Sequence, residues 1–428
     1  MKATLENQIK TRTYPHQLFP SIAYERGAVW LDSTLRIGDK GRYSFIARRP
    51  CLEISANAVN LKSKLLQLTE LWKDQSLFSI GYFSYESTLP FTGITSKFTE
   101  QLDVPLFHFL IYESVLKFDH LTGEIEVTNP IADDYSDLLD SPLEIRSSAE
   151  HTLASITHEV SKEEYFGHVE KVKEHIKEGD IYQANYTCRF DVTSTAAPFD
   201  IYQKLRKLNP SPYAAYLNFG GYQIISSSPE RMFKRTGDFI TACPIKGTIK
   251  TGSDQFENHR QIQKLLNSEK DKAELLMIVD LMRNDLGRIA RTGSVEVSNL
   301  FTAEQYSSLI HLVTDVSATL KEDTDYMEII SALMPGGSIT GAPKKSAVQI
   351  LQEHESTPRG VYTGCIGYVY GNNADFNIAI RTITHRNDNY QIHAGGGIVA
   401  DSDPESEYRE MQLKAQNLFQ SLGVSTDN

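Results

Sequence analysis

The sequence is poor in cysteine. Cys51, Cys188, Cys243 and Cys365 stand far apart, with no CxxC pair and no zinc-finger spacing. That excludes a disulfide framework or a zinc ribbon, and the thiols are expected to be reduced, as in a cytoplasmic protein. Long apolar runs are missing too. None approaches the roughly 18 residues of a membrane-spanning helix, and the opening "MKATLENQIK" lacks the apolar core of a secretion signal. Cations are outnumbered, 43 Lys and Arg against 55 Asp and Glu, for a net charge of −12. This balance argues against nucleic acid, whose phosphates need clustered cations. A small anionic substrate remains open, because a pocket can be locally positive. Internal repeats, low-complexity tracts, a GxxxxGK[ST] loop and a GxGxxG in a βαβ setting are all absent.

What is present is an ordinary globular composition, 40% hydrophobic and 23% charged, in a chain of 428 residues with room for a sizeable core. Residues 22–60 and 76–128 read as strand-rich, as in "FSIGYFSYES" and "HFLIYESVLKFD". Residues 129–160 turn acidic and serine-rich and mark the best boundary. The chain therefore divides into an N-terminal strand-rich region, 1–150, packing on a core region, 155–424.

The core region opens with a helix. Ser161 and Glu164 have capping-box spacing, Tyr165, Val169, Val172 and Ile176 form the apolar stripe, and Gly179 is a stop. "IYQANYTCRFDV" then alternates strictly, with Gln183, Asn185, Thr187 and Arg189 on one face. That polar face reads either as a solvated sheet surface or as a row of binding groups. Residues 222–247 predict three short strands, and 268–285 a largely buried helix. "GGSITGAPKK" and "HAGGGIVADSDPE" read as glycine loops ahead of helices. Strands and helices mix without a regular βαβ beat, so the predicted fold class is α+β.

Several residues could carry chemistry. Lys246 lies in "TACPIKGTIK" and is either a surface charge or an amine held in a pocket. It becomes a nucleophile only if its proton is removed or its pKa falls. Glu230, in "SSSPE", is a candidate to exchange protons with it. Glu274 sits among apolar neighbours, with Lys270 or Arg283 as possible partners. Glu407 and Glu410 share a helix face, and Glu410 with Lys414 has ordinary ion-pair spacing. Three carboxylates, with no histidine or cysteine cluster, would suit a hard ion such as magnesium. Arg381 alternates within an apolar strand, an odd place for a charge unless an anion meets it.

The segments "SSSPER", "PIKGT", "AELLMIVDLMRNDLGRI", "SLIHLV", "PGGSITGAPK" and "AGGGIVADSDPESEYREM" occur in the order found in chorismate-utilising enzymes. The sequence resembles that family over about 160–424, and more weakly before it. The family includes anthranilate synthase, aminodeoxychorismate synthase component I, and the isochorismate and salicylate synthases. The resemblance implies a large antiparallel-sheet sandwich with helices on the outer faces, similar to anthranilate synthase component I. "PIKGT", where anthranilate synthases usually carry alanine, resembles the aminodeoxychorismate synthase branch. It implies amination of chorismate at ring position 4, with Lys246 as nucleophile and Glu230 as proton donor. Gln183 stands where water-adding members have a lysine base, which favours ammonia.

By the same resemblance, Glu274 and Glu410 are expected to bind Mg2+, with Glu407 in support. Arg381, Tyr362, Lys414 and the amides of Gly395, Gly396 and Gly397 are expected to hold substrate carboxylates. His311 and Ser338 are expected to line the ring, His311 either polarising a group or simply packed and neutral. Met411 departs from the threonine common beside the metal ligand. "WLDS", with Leu31, Asp32 and Ser33, and "NPSPY", with Asn209 and Pro210, match an effector pocket, here expected to be a buried relic. No GxCxGxQ glutaminase segment occurs, so ammonia is expected from a separate glutamine amidotransferase. The rival expectations are anthranilate synthase component I and a non-catalytic chorismate- or amino-acid-binding regulator.

Overall fold

Alternating apolar residues make the strands, and apolar stripes at helical spacing make the helices that cover them. The computed structural model describes residues 8–9, 14–129, 135–140, 153–306 and 309–424. Two antiparallel sheets stack face to face, one of 12 strands and one of 10. In the larger sheet, Val29–Asp32 pairs with Tyr213–Asn218, and Asn389–Ile398 pairs with Gln183–Ser194 along nearly its whole length. In the smaller, Phe78–Phe83 pairs with Cys365–Tyr370, and Ile245–Lys250 pairs with Leu309–Thr319. Both sheets thus mix strands from either side of residue 150. That position itself, within 141–152, lies outside the described residues.

Three apolar clusters hold the layers together. Val29, Phe45, Phe78, Ile80, Leu217 and Ile366 fill the space between the sheets. On the outer face of the larger sheet pack the helices Lys162–Glu178, Pro198–Leu208 and Pro404–Leu422, through residues such as Val169, Tyr202 and Leu418. The smaller sheet is covered by Glu269–Ile289 and Tyr326–Leu333. The molecule is an α+β sandwich with helices outside, as expected.

The helix Lys162–Glu178 is as predicted: Ser161 accepts from the Glu164 amide at 3.2 Å, and Gly179 closes it with φ of +86°. Four expectations change. The polar face of Gln183–Ser194 is not solvated, for Gln183, Asn185 and Thr187 are buried between layers. The helix Glu269–Ile289 is amphipathic rather than largely buried, with Ala273, Leu276 and Asp280 exposed. "PIKGT" is not the end of a third strand but part of a fourth, Ile245–Lys250. Gly395, Gly396 and Gly397 form no loop; they lie inside the strand Asn389–Ile398.

One buried ion pair ties the layers. Arg359 and Glu355 are both almost wholly buried and meet at 2.6 Å. Arg359 also donates to the carbonyls of Ile339 and Asn185, at 2.8 and 2.7 Å. Removing one partner of such a pair leaves a stranded charge, at about 3–5 kcal/mol. Arg359→Met should therefore lower the urea midpoint strongly, and adding Glu355→Gln should restore part of the loss. An unchanged midpoint in the single variant would refute this account of the pair.

Candidate active site

The site forms where the glycine stretch of Asn389–Ile398 outruns its neighbour Thr382–Arg386, whose pairing ends at Ile392. The absence of side chains there lets other groups approach the strand. A methyl group added at Gly397 would meet Gln183 Nε2 at 2.5 Å and Lys246 Nζ at 3.3 Å. One added at Gly396 would meet Glu407 Oε2 at 3.1 Å. The Gly395 carbonyl accepts from Lys414 Nζ at 3.0 Å.

Lys246 is placed by a bulge. The pairing of Ile245–Lys250 with Leu309–Thr319 shifts register between Lys246 and Thr248. Gly247, between them, takes φ of +64°, a conformation that glycine adopts freely. The side chain is half-buried, and burial lowers its pKa from the ordinary lysine value. Glu274, Glu230 and Glu410 push the other way, while Lys414 adds to the lowering. Lys246 is thus a half-buried amine set against the glycine strand.

Glu230 is buried, and burial pushes its carboxyl up to about 7. Ser338 Oγ donates to its Oε1 at 3.1 Å. His311 is buried, and desolvation, aided by Arg381, brings it down to about 3. It is therefore neutral at physiological pH. Thr248 Oγ1 lies 3.0 Å from His311 Nδ1, and the buried Nε2 has no partner.

Two further groups are unsatisfied. Both polar atoms of the Gln183 amide are buried with no hydrogen bond. Such atoms are rare in folded proteins unless a ligand completes them. Arg381 sits not within a strand but in the break between Asn373–Ile378 and Thr382–Arg386, at φ of +50°. Burial lowers it to about 10, so it stays cationic. Among the described residues no carboxylate lies within 4.0 Å of its guanidinium. It is held instead by Asn209 Oδ1 at 2.8 Å. A half-buried cation without a carboxylate beside it suits an anionic ligand.

The acidic groups face this centre from two helices. Glu410 pairs with Lys414 at 2.8 Å, and Glu274 lies 4.0 Å from Lys270. Arg283 pairs with Asp280 instead. Glu407 accepts from Ser402 Oγ at 2.6 Å. Its carboxyl is raised, by burial first and then in part by Glu410, so the two acids sense one another. Among the described residues, the oxygens of Glu274, Glu407 and Glu410 do not all fall within 4.8 Å of each other. This all-oxygen set still fits a hard divalent cation, which often takes one or two carboxylates and completes its shell with water and substrate.

Tyr362 is the expected residue with the least connection to this group. It stacks on His393 with ring centroids 5.4 Å apart, and Arg359 is its nearest strong charge influence. Sequence reading missed Thr248, although it lies in the same "PIKGT". It also missed Lys40, buried and paired with Glu304 at 2.6 Å. Lys40 acts electrostatically on both Glu230 and His311. No local pattern marks it.

The "WLDS" segment is not a filled relic. Leu31, Asp32 and Ser33, with Tyr213 and Arg231, line a cavity of about 420 Å³ between the sheets, apart from Lys246. Asn209 and Pro210 do not line it. Asn209 serves Arg381 instead.

The family model described as chorismate binding enzyme matches residues 21–420, well beyond the stretch legible from the motifs. Anthranilate synthase component 1 of Acetivibrio thermocellus is 36% identical over 368 residues, covering 80% of this chain and 74% of that protein. Aminodeoxychorismate synthase component 1 of Bacillus subtilis is 35% identical over 364 residues, covering 82% and 77%. The crystal structure of anthranilate synthase component I from Streptococcus pneumoniae superposes with a TM-score of 0.77 at 30% identity, over 90% of this chain and 93% of that one. The menaquinone-specific isochorismate synthase MenF of Escherichia coli shares the fold, with a TM-score of 0.75 at 18% identity, over 97% and 92%. No described helix is long and apolar enough to cross a membrane. A sandwich of this topology and a family match across nearly the whole chain place the protein among the chorismate-binding enzymes, which convert chorismate.

Proposed function

We propose that this enzyme aminates chorismate at ring position 4 to give 4-amino-4-deoxychorismate, the precursor of p-aminobenzoate in folate synthesis. The observation that carries the reading is the half-buried Lys246 amine, set against Gly397 and the unpartnered Gln183 amide. Arg381 and Lys414 supply positive charge for the substrate carboxylates. Neutral Lys246 attacks ring carbon 2 as both conjugated ring double bonds shift and the 4-hydroxyl departs. Protonated Glu230, held by Ser338, gives that hydroxyl its proton, and water leaves. Ammonia then adds at carbon 4, both double bonds return, the lysine–carbon bond breaks, and a proton passes from the new amine to the departing lysine. Two substitutions through a covalent intermediate replace one harder step. His311, being neutral, contributes a hydrogen bond and no charge.

Glu274 and Glu410, with Glu407 beside them, would hold magnesium, which when bound neutralises and orients the ring carboxylate. A glutamine amidotransferase in trans is the proposed source of ammonia, and the cytoplasm is the proposed site of action. A second reading, anthranilate synthase, is favoured by the names of several relatives. Product analysis from chorismate, ammonia and magnesium separates the two: 4-amino-4-deoxychorismate supports the proposal, and anthranilate refutes it.

Intact-mass analysis of enzyme mixed with chorismate alone should show an adduct equal to chorismate minus water, on Lys246. Lys246→Ala should lose the adduct and most turnover while keeping its fold, and unchanged turnover would rule out the covalent route. Glu230 must be protonated to act, so kcat/KM should fall as pH rises through about 7. Lys246 must be neutral, which sets the opposite, acidic limb. Glu230→Gln should cost about 10²–10⁴-fold and remove the alkaline limb. Glu274→Gln should lose activity together with the magnesium response, and a variant fully active in excess chelator would refute the metal assignment. Gly397→Ala drives a methyl group into Gln183 and Lys246. It should cost about 10²-fold in kcat/KM with an unchanged circular dichroism spectrum.

A further inference from the structure

We propose that His175, Glu353 and His354 form a site for a zinc-class transition-metal ion, separate from the acidic cluster of the active site. It lies at the surface where the helices Lys162–Glu178 and Lys344–His354 end side by side. One potential ligand atom from each of the three residues falls within 4.8 Å of the others. The decisive distance is between two ring nitrogens. His175 Nε2 and His354 Nε2 stand 3.4 Å apart. A tetrahedral ion with bonds of about 2.0–2.1 Å needs its nitrogen ligands about 3.3 Å apart. The space between the two rings therefore already has the width that the ion requires.

The tautomer is set as well. His175 Nδ1 lies 2.9 Å from Asp180 Oδ2. The carboxylate accepts the proton of Nδ1, which leaves the Nε2 lone pair directed at His354. A carboxylate on the far nitrogen is the usual support of a metal-binding histidine, fixing the ring and raising its basicity. Glu353 supplies the third ligand and a negative charge, and water can fill the open position. His168 stands beside the site, its ring centroid 6.3 Å from that of His354, with Nδ1 buried and unpartnered. Two imidazoles and one carboxylate suit zinc, copper or nickel. The all-carboxylate set around Glu274 suits magnesium. The ion would brace two helix ends. Glu355, next in sequence to His354, holds Arg359, which reaches the carbonyls of Asn185 and Ile339.

Calorimetry with zinc chloride on chelator-treated full-length protein tests this. One ion per chain is expected, with a rise in Tm on binding. Cobalt in place of zinc should give the intense visible bands of a tetrahedral site. His175→Ala and His354→Ala should each abolish both signals, while Asp180→Asn should weaken binding about 10–100-fold. Glu274→Gln should bind zinc as the unaltered protein does. Absence of zinc binding overturns the proposal. So does full affinity in either histidine variant, which would assign the ion to exposed Cys51 or to the active-site carboxylates. Because no outcome depends on turnover, the result is independent of which amination the enzyme performs.

Discussion

The structure depends on one constraint: an amine must be partly withdrawn from water without being left unneutralised. A lysine amine in bulk solvent is protonated and inert. Burial favours its neutral form, and nearby carboxylates favour the charged one. At Lys246 burial dominates, yet Glu274, Glu230 and Glu410 all act against it. The balance is one that the proposed nucleophile, which must shed and later recover a proton, would need. Lys414 tips the balance further toward the neutral form.

Both sheets contribute to this arrangement. The smaller sheet carries Lys246 on a bulged strand, with Thr248 two residues on, against His311 on the neighbouring strand. The larger sheet brings Gln183 and the glycines on two paired strands. A side chain at Gly397 would occupy the space in which the lysine and the glutamine amide meet. The helices add charge from outside: Glu274 from one, and Glu407, Glu410 and Lys414 from another. Rigid elements thus hold most of the groups, with Arg381 the exception, fixed in a strand break by Asn209. Placement on packed strands and helices gives the precision that positioning a dianion demands.

The carboxylates around Lys246 and the imidazoles at the ends of Lys162–Glu178 and Lys344–His354 show how ligand type separates two kinds of cation chemistry. The first set is all oxygen and close to lysines, a composition that suits a hard cation. The second is mostly nitrogen and lies at the surface. The Glu355–Arg359 pair follows His354 in sequence and bonds the strand that carries Gln183. It packs against Tyr85, with the guanidinium 4.4 Å from the ring centroid.

Much of this was legible in the residues themselves. The helix Lys162–Glu178 carries its cap, stripe and stop locally, so periodicity and capping chemistry determine it. The ordered motifs determine the family and the α+β class, and they point to Lys246, Glu230, Glu274 and Glu410, which the fold brings within reach of one another. The polar face of Gln183–Ser194 could not be assigned, because alternation reports two faces and not what covers each. Only the stacking of the second sheet buries it. The "AGGG" run read as a loop, since glycine weakens any strand signal, and only its pairing with Gln183–Ser194 makes it one. Lys40 and the His175–His354 pair left no trace in spacing, the two histidines being 179 residues apart. Local chemistry determined what each residue could be. Tertiary structure alone decided which were dry, which were paired and which met, because burial and charge proximity are set by distant segments that only folding brings together.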